Sequence, residues 1–390
     1  MTEPPRAPKV FVHIGAPKTG TTFVQDVLWT NRDQLGEDGI LYPYERRHQH
    51  FEAMLDLREK AWGSRGVGHT RGSWDAVAAR LASWSGPAVV IGNELLAGAT
   101  VRQIKRLADS LAPAEVHVVF TARDFARQLV SDWQEHIKHR HTLTLEAFVD
   151  DLIEHGEQAT PPFGELFWGL HDAAGVLDRW ARVIPRERIH LITLPPPGAP
   201  RDTLWRRFCS VTGLDPDRYS VDIPPSNTSL GRAEAEVIRR VNGRVRRVKA
   251  PYYDVLVRMK LSRHVLDGSG GRIVLPEGRM PWVRARSRDL VKALADGGYD
   301  VVGDLDDLIP RPEDHEGYVP TEAIRPREML PVALKTTAAL LRIAARQQAR
   351  IRRLRRKLGQ LAPDPEPPPP GVRTRLRGAL SGARRRLRRR

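Results

Sequence analysis

The sequence predicts an α/β fold, a mostly parallel sheet flanked by helices, with a basic helical tail at the C-terminal end. Short apolar runs at 10–14, 88–91, 116–121 and 188–194 have the length and continuity of strands buried on both faces. Segments of helical spacing separate them, so strands and helices alternate. Charge sets the tail apart. The chain of 390 residues carries a net charge of +16, yet residues 331–390 alone hold 18 Lys/Arg against 2 Asp/Glu. The preceding 330 residues hold 45 of each sign and are neutral.

The first strand, Val10-Phe11-Val12-His13-Ile14, ends at Gly15, and a Pro/Lys/Gly/Thr loop then opens a helix. Phe23, Val24, Val27 and Leu28 place one apolar stripe of that helix toward a core. A turn at 35–39 leads to a short extended segment ending at Pro43, and 51–58 is helix-like after His48 and His50. Residues 62–73, rich in Gly, Ser and Arg, predict a mobile surface loop. A helix over 74–84 precedes the strand Ala88-Val89-Val90-Ile91, which ends at Gly92-Asn93-Glu94. A helix over 101–112 precedes the strand 116–121, which runs into Arg123-Asp124 and a helix over 125–139. Beyond it, 143–154 is helical, 160–163 is a break, 172–183 is helical and 188–194 is a strand. A proline loop (195–200) leads to a helix at 203–212. The Ser/Asn/Thr loop at 224–230 leads to a long helix at 232–248, and the body closes near Ile309-Pro310.

This divides the chain into an N-terminal extension (1–8), a main domain (9–310), a linker (311–330), a basic amphipathic helix (331–362) and a Pro-rich spacer with an Arg-rich end (363–390). In the helix Leu340, Ala344, Ile351, Leu354, Leu358 and Leu361 recur at three- to four-residue spacing among Arg and Lys. Such a stripe favours an anionic membrane surface or self-association, and no specific nucleic-acid contact is expected. A single cysteine, Cys209, excludes an internal disulfide and a multi-cysteine metal site. No apolar signal region precedes the first strand and no uncharged run is long enough to span a bilayer, so a cytoplasmic protein is expected, with peripheral contact to the inner membrane face open to it.

The loop Gly15-Ala16-Pro17-Lys18-Thr19-Gly20-Thr21-Thr22 is close to the nucleotide-binding pattern G-x-x-x-x-G-K-[ST]. A glycine loop between a strand and a helix presents backbone N–H groups and a helix dipole to an anion. Thr21 stands where the lysine of a kinase or ATPase belongs, and the cation has moved to Lys18. A kinase needs its lysine on the β/γ-phosphates beside the Mg²⁺-binding hydroxyl, so the displacement points to a different anion.

Here the chain resembles the bacterial-type sulfotransferases that use 3′-phosphoadenosine 5′-phosphosulfate (PAPS), whose phosphosulfate loop reads much like Pro17-Lys18-Thr19-Gly20-Thr21-Thr22. Arg123 after a buried strand, with Ser131 eight residues on, resembles the family's 3′-phosphate motif, with Asp124-Phe125 in place of its frequent Asn-Pro. The resemblance implies a P-loop-like three-layer fold, PAPS as co-substrate without a metal, and a hydroxyl-bearing acceptor that is a carbohydrate, glycolipid or small metabolite. It implies that Lys18 stabilises the departing phosphate, that Thr19, Gly20, Thr21 and Thr22 cradle the 5′-phosphate, and that Arg123 and Ser131 grip the 3′-phosphate. Glu94 resembles the glutamate that some carbohydrate sulfotransferases use as general base, and His50 and His48 are alternatives, since the cytosolic branch uses histidine. Trp133 reads as core, Gln134 and Lys138 as a solvated face or a cleft wall, and the loop 226–230 resembles one that approaches the nucleotide. Two other classes stay open, a P-loop kinase or NTPase and a non-catalytic nucleotide-binding protein.

Overall fold

The computed structural model describes residues 7–61, 66–224, 229–245, 247–311 and 316–361. Its strands are β1 (Lys9–Gly15), β2 (Ile40–Leu41), β3 (Ala88–Gly92), β4 (Glu115–Ala122), β5 (Ile189–Thr193) and β6 (Asp300–Val302). They form one six-stranded sheet in the order β2-β3-β1-β4-β5-β6. Every adjacent pair is parallel. The α/β expectation therefore holds. Val12 sits at the centre of the register, paired with Ile91 on β3 and Val118 on β4. Val12, Ile14, Val118, Val119, Phe120 and Leu191 are all fully buried, which is why these strands read as continuous apolar runs.

From β1 the chain builds β2 and β3 on one side of the central strand, then crosses to build β4, β5 and β6 on the other. The carboxyl end of β1 is thus a topological switch point, the place where open α/β sheets bind ligands. Its loop leads into the helix Thr21–Thr30, and β4 leads into the helix Phe125–Lys138. Asp124 caps that second helix: its Oδ1 accepts from the Arg127 N–H at 2.8 Å, and its carboxylate also pairs with the Arg127 side chain. Such a cap contributes about 1 kcal/mol.

Several elements differ from the sequence expectation for local reasons. The break at 160–163 is followed at once by a helix, Phe163–His171, which buries Phe163, Phe167 and Trp168. The long helix stops at Asn242, where the Asn242 side-chain amide turns to the Ile137 and His141 carbonyls at 2.8 Å each. The segment 66–73 contains a single tight turn, Val67–Thr70, while 62–65 lies outside the described residues. Strand β6 and the helix Met280–Ala295 complete the far edge without having been anticipated.

Residues up to Thr336 form one compact unit and Thr337–Arg390 a second. Within the first, Tyr318 donates from its hydroxyl, and Thr321 from its backbone N–H, to Glu146 Oε1 at 2.5 and 2.8 Å. The last described helix, Pro326–Leu361, begins with a proline at its first position and carries Pro331 inside it. In its second-unit part Leu341, Ile351, Leu354 and Leu358 are exposed. The side chain of Leu361 and all of 362–390 lie outside the described residues. Among the described residues no helix is long and apolar enough to cross a membrane.

Candidate functional site

Two glycines shape the loop after β1. Gly15 adopts φ +128°, and a Cβ there would lie 2.6 Å from the Glu94 carbonyl oxygen, so no side chain fits against the end of β3. Gly20, at φ +84°, starts the helix Thr21–Thr30. It brings no capping side chain, and no acidic residue occupies the first turn, which leaves the positive end of that helix for an anion. Lys18 itself sits at φ 65°, a left-handed conformation rare for a side-chain-bearing residue and frequent at functional sites.

Strand β4 holds this loop in shape. Thr121 Oγ1 donates to the Gly15 carbonyl at 2.9 Å, and the Thr121 carbonyl accepts from the Ala16 N–H at 2.7 Å. Thr19 Oγ1 lies 2.5 Å from Thr121 Oγ1 and 2.6 Å from the Ala16 carbonyl. His13 Nε2 closes the group at 3.4 Å from Thr121 Oγ1, and burial pushes the His13 pKa down to about 4, so its ring is neutral at pH 7. Thr19 is fully buried within this network, while Thr22 is half-buried on the first helical turn.

Arg123 reaches back from the end of β4. Its Nη1 donates to Ser131 Oγ at 3.0 Å and to the Lys18 carbonyl at 3.2 Å. Lys18, Arg123 and Ser131, drawn from two distant stretches, therefore meet at one point. Gln128 adds a second tie from the same helix. Its amide donates to the Pro17 carbonyl at 3.0 Å and to His171 Nδ1 at 3.0 Å. That leaves the His171 Nε2–H facing Asp132 Oδ1 at 3.4 Å, and His136 Nε2 lies 3.1 Å from Asp132 Oδ2. Burial alone would raise the Asp132 pKa, but the two histidines hold it below the usual carboxylate range.

The Lys18 ammonium lies 2.5 Å from Glu135 Oε2. His139 Nε2 (3.4 Å), Arg258 Nη2 (3.5 Å) and Lys138 Nζ (3.9 Å) surround the same carboxylate. Burial would raise the Glu135 pKa, yet Lys18 foremost, with His139 and Lys138, keeps it well below the usual range. Pro17, Lys18, Glu135, His136 and His139 all border one cavity of about 810 Å³.

The three expected bases, Glu94, His50 and His48, stand outside that cavity's lining. Glu94 follows β3 directly, half-buried, with Oε2 accepting from the Gln25 amide at 2.9 Å. Gln25 lies on the helix that leaves the loop, so this carboxylate spans the gap between β3 and the loop's helix. His50 Nδ1 accepts from the Asn93 amide at 3.0 Å, and Asn93 Oδ1 in turn accepts from the Leu95 N–H at 3.0 Å. Burial foremost, then His48, pulls the His50 pKa down to about 4. The ring is neutral at pH 7 with its acceptor nitrogen occupied. His48 is exposed at the start of the helix Gln49–Leu57.

Trp133 is buried and donates to the Leu143 carbonyl at 3.0 Å. Gln134 is buried too and accepts from the Leu230 N–H at 3.0 Å, which draws it away from any cleft. Of the loop that precedes Leu230, residues 225–228 lie outside the described residues. His136 stands out in the sequence only as following Ser131 on the same helix, with no role; Glu135 and His139 were not singled out, although their spacing from Ser131 was open to view.

No family model and no curated protein matches the chain. Among solved structures it is similar to the crystal structure of a sulfotransferase from Alicyclobacillus acidocaldarius, at 18% identity and a TM-score of 0.38, over 66% of this chain and 97% of that one.

Proposed function

We propose that this chain is a PAPS-dependent sulfotransferase that transfers a sulfuryl group to a hydroxyl of a carbohydrate, glycolipid or small metabolite. The observation that carries this reading is Arg123, whose guanidinium joins Ser131 to the Lys18 carbonyl at 3.0 and 3.2 Å. One cation with a hydroxyl partner thereby sits against a glycine loop whose own lysine lies midway, an arrangement suited to a nucleotide with phosphates at both ends. The residues fit the group: the helix start at Gly20 lacks a competing cap or acid, and Lys18 sits midway along the loop before it. Asp124, the residue a metal-dependent kinase would want at this strand end, is engaged as a helix cap and with Arg127.

PAPS would supply the sulfuryl group, its S–O bond to the 5′-phosphate breaking as the acceptor oxygen bonds to sulfur. Lys18 would release Glu135 and stabilise charge on the departing phosphate oxygen. Thr21, Thr22 and the N–H groups of the first helical turn would hold that phosphate, while Arg123 and Ser131 hold the 3′-phosphate. Glu94, outside the cavity's lining but beside the loop at its edge, would take the proton of an acceptor hydroxyl that reaches past Lys18 toward the end of β3. His50 is the weaker candidate because its acceptor nitrogen is already bonded to Asn93.

The test is calorimetric binding of adenosine 3′,5′-bisphosphate against ADP with Mg²⁺, on the intact chain and on Arg123→Ala. Preference for the bisphosphate, lost in the variant, supports the reading. Better binding of ADP with Mg²⁺, or an Arg123→Ala protein that binds as before, would refute it.

A further inference from the structure

Four arginines that the transfer step does not use border the cavity that begins at Lys18: Arg140 lies over the Tyr253 ring, Arg258 faces Glu135, and Arg58 and Arg179 stand apart from both. Arg58 follows the helix Gln49–Leu57, and Arg179 lies on the helix Ala173–Ala181. Both grip the turn after β3 through backbone carbonyls. Arg58 donates to the Leu95 and Gly98 carbonyls at 2.6 Å each, and Arg179 to the Ala97 and Gly169 carbonyls at 2.7 and 3.1 Å. Carbonyls satisfy some of the N–H donors but supply no negative charge. Neither guanidinium forms an ion pair with a described residue, and the Nε of each is buried without a hydrogen-bond partner.

The two like charges are half-buried and grip carbonyls of the same turn, Leu95, Ala97 and Gly98. Burial foremost, then the Arg179 charge, pulls the Arg58 pKa down to about 10. Glu157 and Glu165 border the same cavity and oppose this, Glu165 acting on Arg58 and Glu157 on Arg179, without either forming an ion pair with them. Glu157 and Glu165 are exposed, and Asp172 is held by Arg286 at 3.0 Å. Both guanidiniums are half-buried on the wall of a cavity wide enough to admit a ligand, which suits them to a charge that arrives from outside. The walls between are apolar, with Met54, Leu95 and Leu170 among them. A guanidinium pair fixed by carbonyls is already ordered for a phosphate or a carboxylate.

We propose that Arg58 and Arg179 form a subsite for an anionic group, phosphate or carboxylate, carried by the acceptor whose hydroxyl is presented to the Lys18 loop. The assignment of this anion to an acceptor rests on the sulfotransferase reading; the anion site itself does not.

The experiment measures binding of inorganic phosphate, glucose 6-phosphate, glucuronate and glucose to the full chain. Adenosine 3′,5′-bisphosphate is first added to saturation so that the loop is filled. Glucose 6-phosphate or glucuronate should bind and glucose should not, and the stronger of the two names the anion. Arg179→Gln should weaken that binding by roughly tenfold or more, with Arg179→Lys in between, while bisphosphate affinity stays unchanged. Absence of binding by all three anions to the wild-type protein, which no folding defect explains, overturns the proposal. Equal binding by a folded Arg179→Gln protein does so as well. If the bisphosphate itself fails to bind, the sulfotransferase reading falls. The same titrations on the free protein, with Arg123→Ala to remove loop binding, then still decide the anion subsite.

Discussion

The Lys18 ammonium rests 2.5 Å from the Glu135 carboxylate, and this pair occupies the place where the glycine loop after β1 meets the cavity. An anion arriving at the loop has to draw Lys18 away from that partner. Glu135→Gln removes the competition, so affinity for adenosine 3′,5′-bisphosphate should rise severalfold, about 1 kcal/mol. Thermal stability should fall, because Lys138, His139 and Arg258 lose their shared counter-charge. Calorimetry and a melting curve read the two effects separately. Weaker nucleotide binding would mean that Glu135 positions Lys18 rather than opposing its use.

Lys18→Ala and Glu94→Gln should fail in different ways. Without the lysine, kcat should drop by about 10²- to 10³-fold, the scale for losing one transition-state donor. Nucleotide binding should weaken as well, since Lys18 also contacts the ground-state anion. Without the base, kcat should drop by about 10²-fold or more while bisphosphate affinity stays at the wild-type level. A Glu94→Gln enzyme with full turnover would move the base to another residue.

Three histidines make stability depend on mild acid. Burial lowers His13, His50 and His141 from an ordinary value of 6.5 to about 4 each. Between those values the unfolded chain binds protons that the folded chain refuses, so stability falls as pH drops from about 6.5 toward about 4. Each group contributes up to about 1.4 kcal/mol per pH unit inside that window. Urea midpoints at about pH 7 and about pH 5 should show the decline, and His13→Gln should flatten the slope in part, since burial also lowers His117. An unchanged slope would show that His13 titrates normally.

The second-unit helix presents Leu341, Ile351, Leu354 and Leu358 to solvent beside many arginines. We expect the full chain to bind vesicles containing phosphatidylglycerol and a chain lacking 337–390 to lose that binding, with salt weakening the interaction. Vesicle sedimentation measures this. Equal binding by the truncated chain would remove the tail's membrane role, and concentration-dependent sedimentation of the intact protein without vesicles would favour self-association.

The parts legible in the sequence are those that local pattern determines. The strand ending at Gly15, the displaced lysine and the Arg123…Ser131 spacing all lie within short windows, and the structure brings the last two together. What escaped notice depends on distant packing. Glu135 is an ordinary helix acid until Lys18, 117 residues away, closes on it. Arg58 and Arg179 gain meaning from the carbonyls of a turn that neither adjoins in sequence. Strand β6 has three residues and no apolar rhythm, so only its register against β5 identifies it.

The helix Phe125–Lys138 acts as a ruler. Ser131 on it meets Arg123, Gln128 holds the loop at Pro17, and Glu135 and His136 border the cavity. On the proposed reading, donor and acceptor sides would therefore be spaced by one rigid rod rather than by a loop that can drift. A single residue inserted between Ser131 and Glu135 would turn one end against the other by about 100°. Both halves would survive as binding surfaces while their alignment was lost.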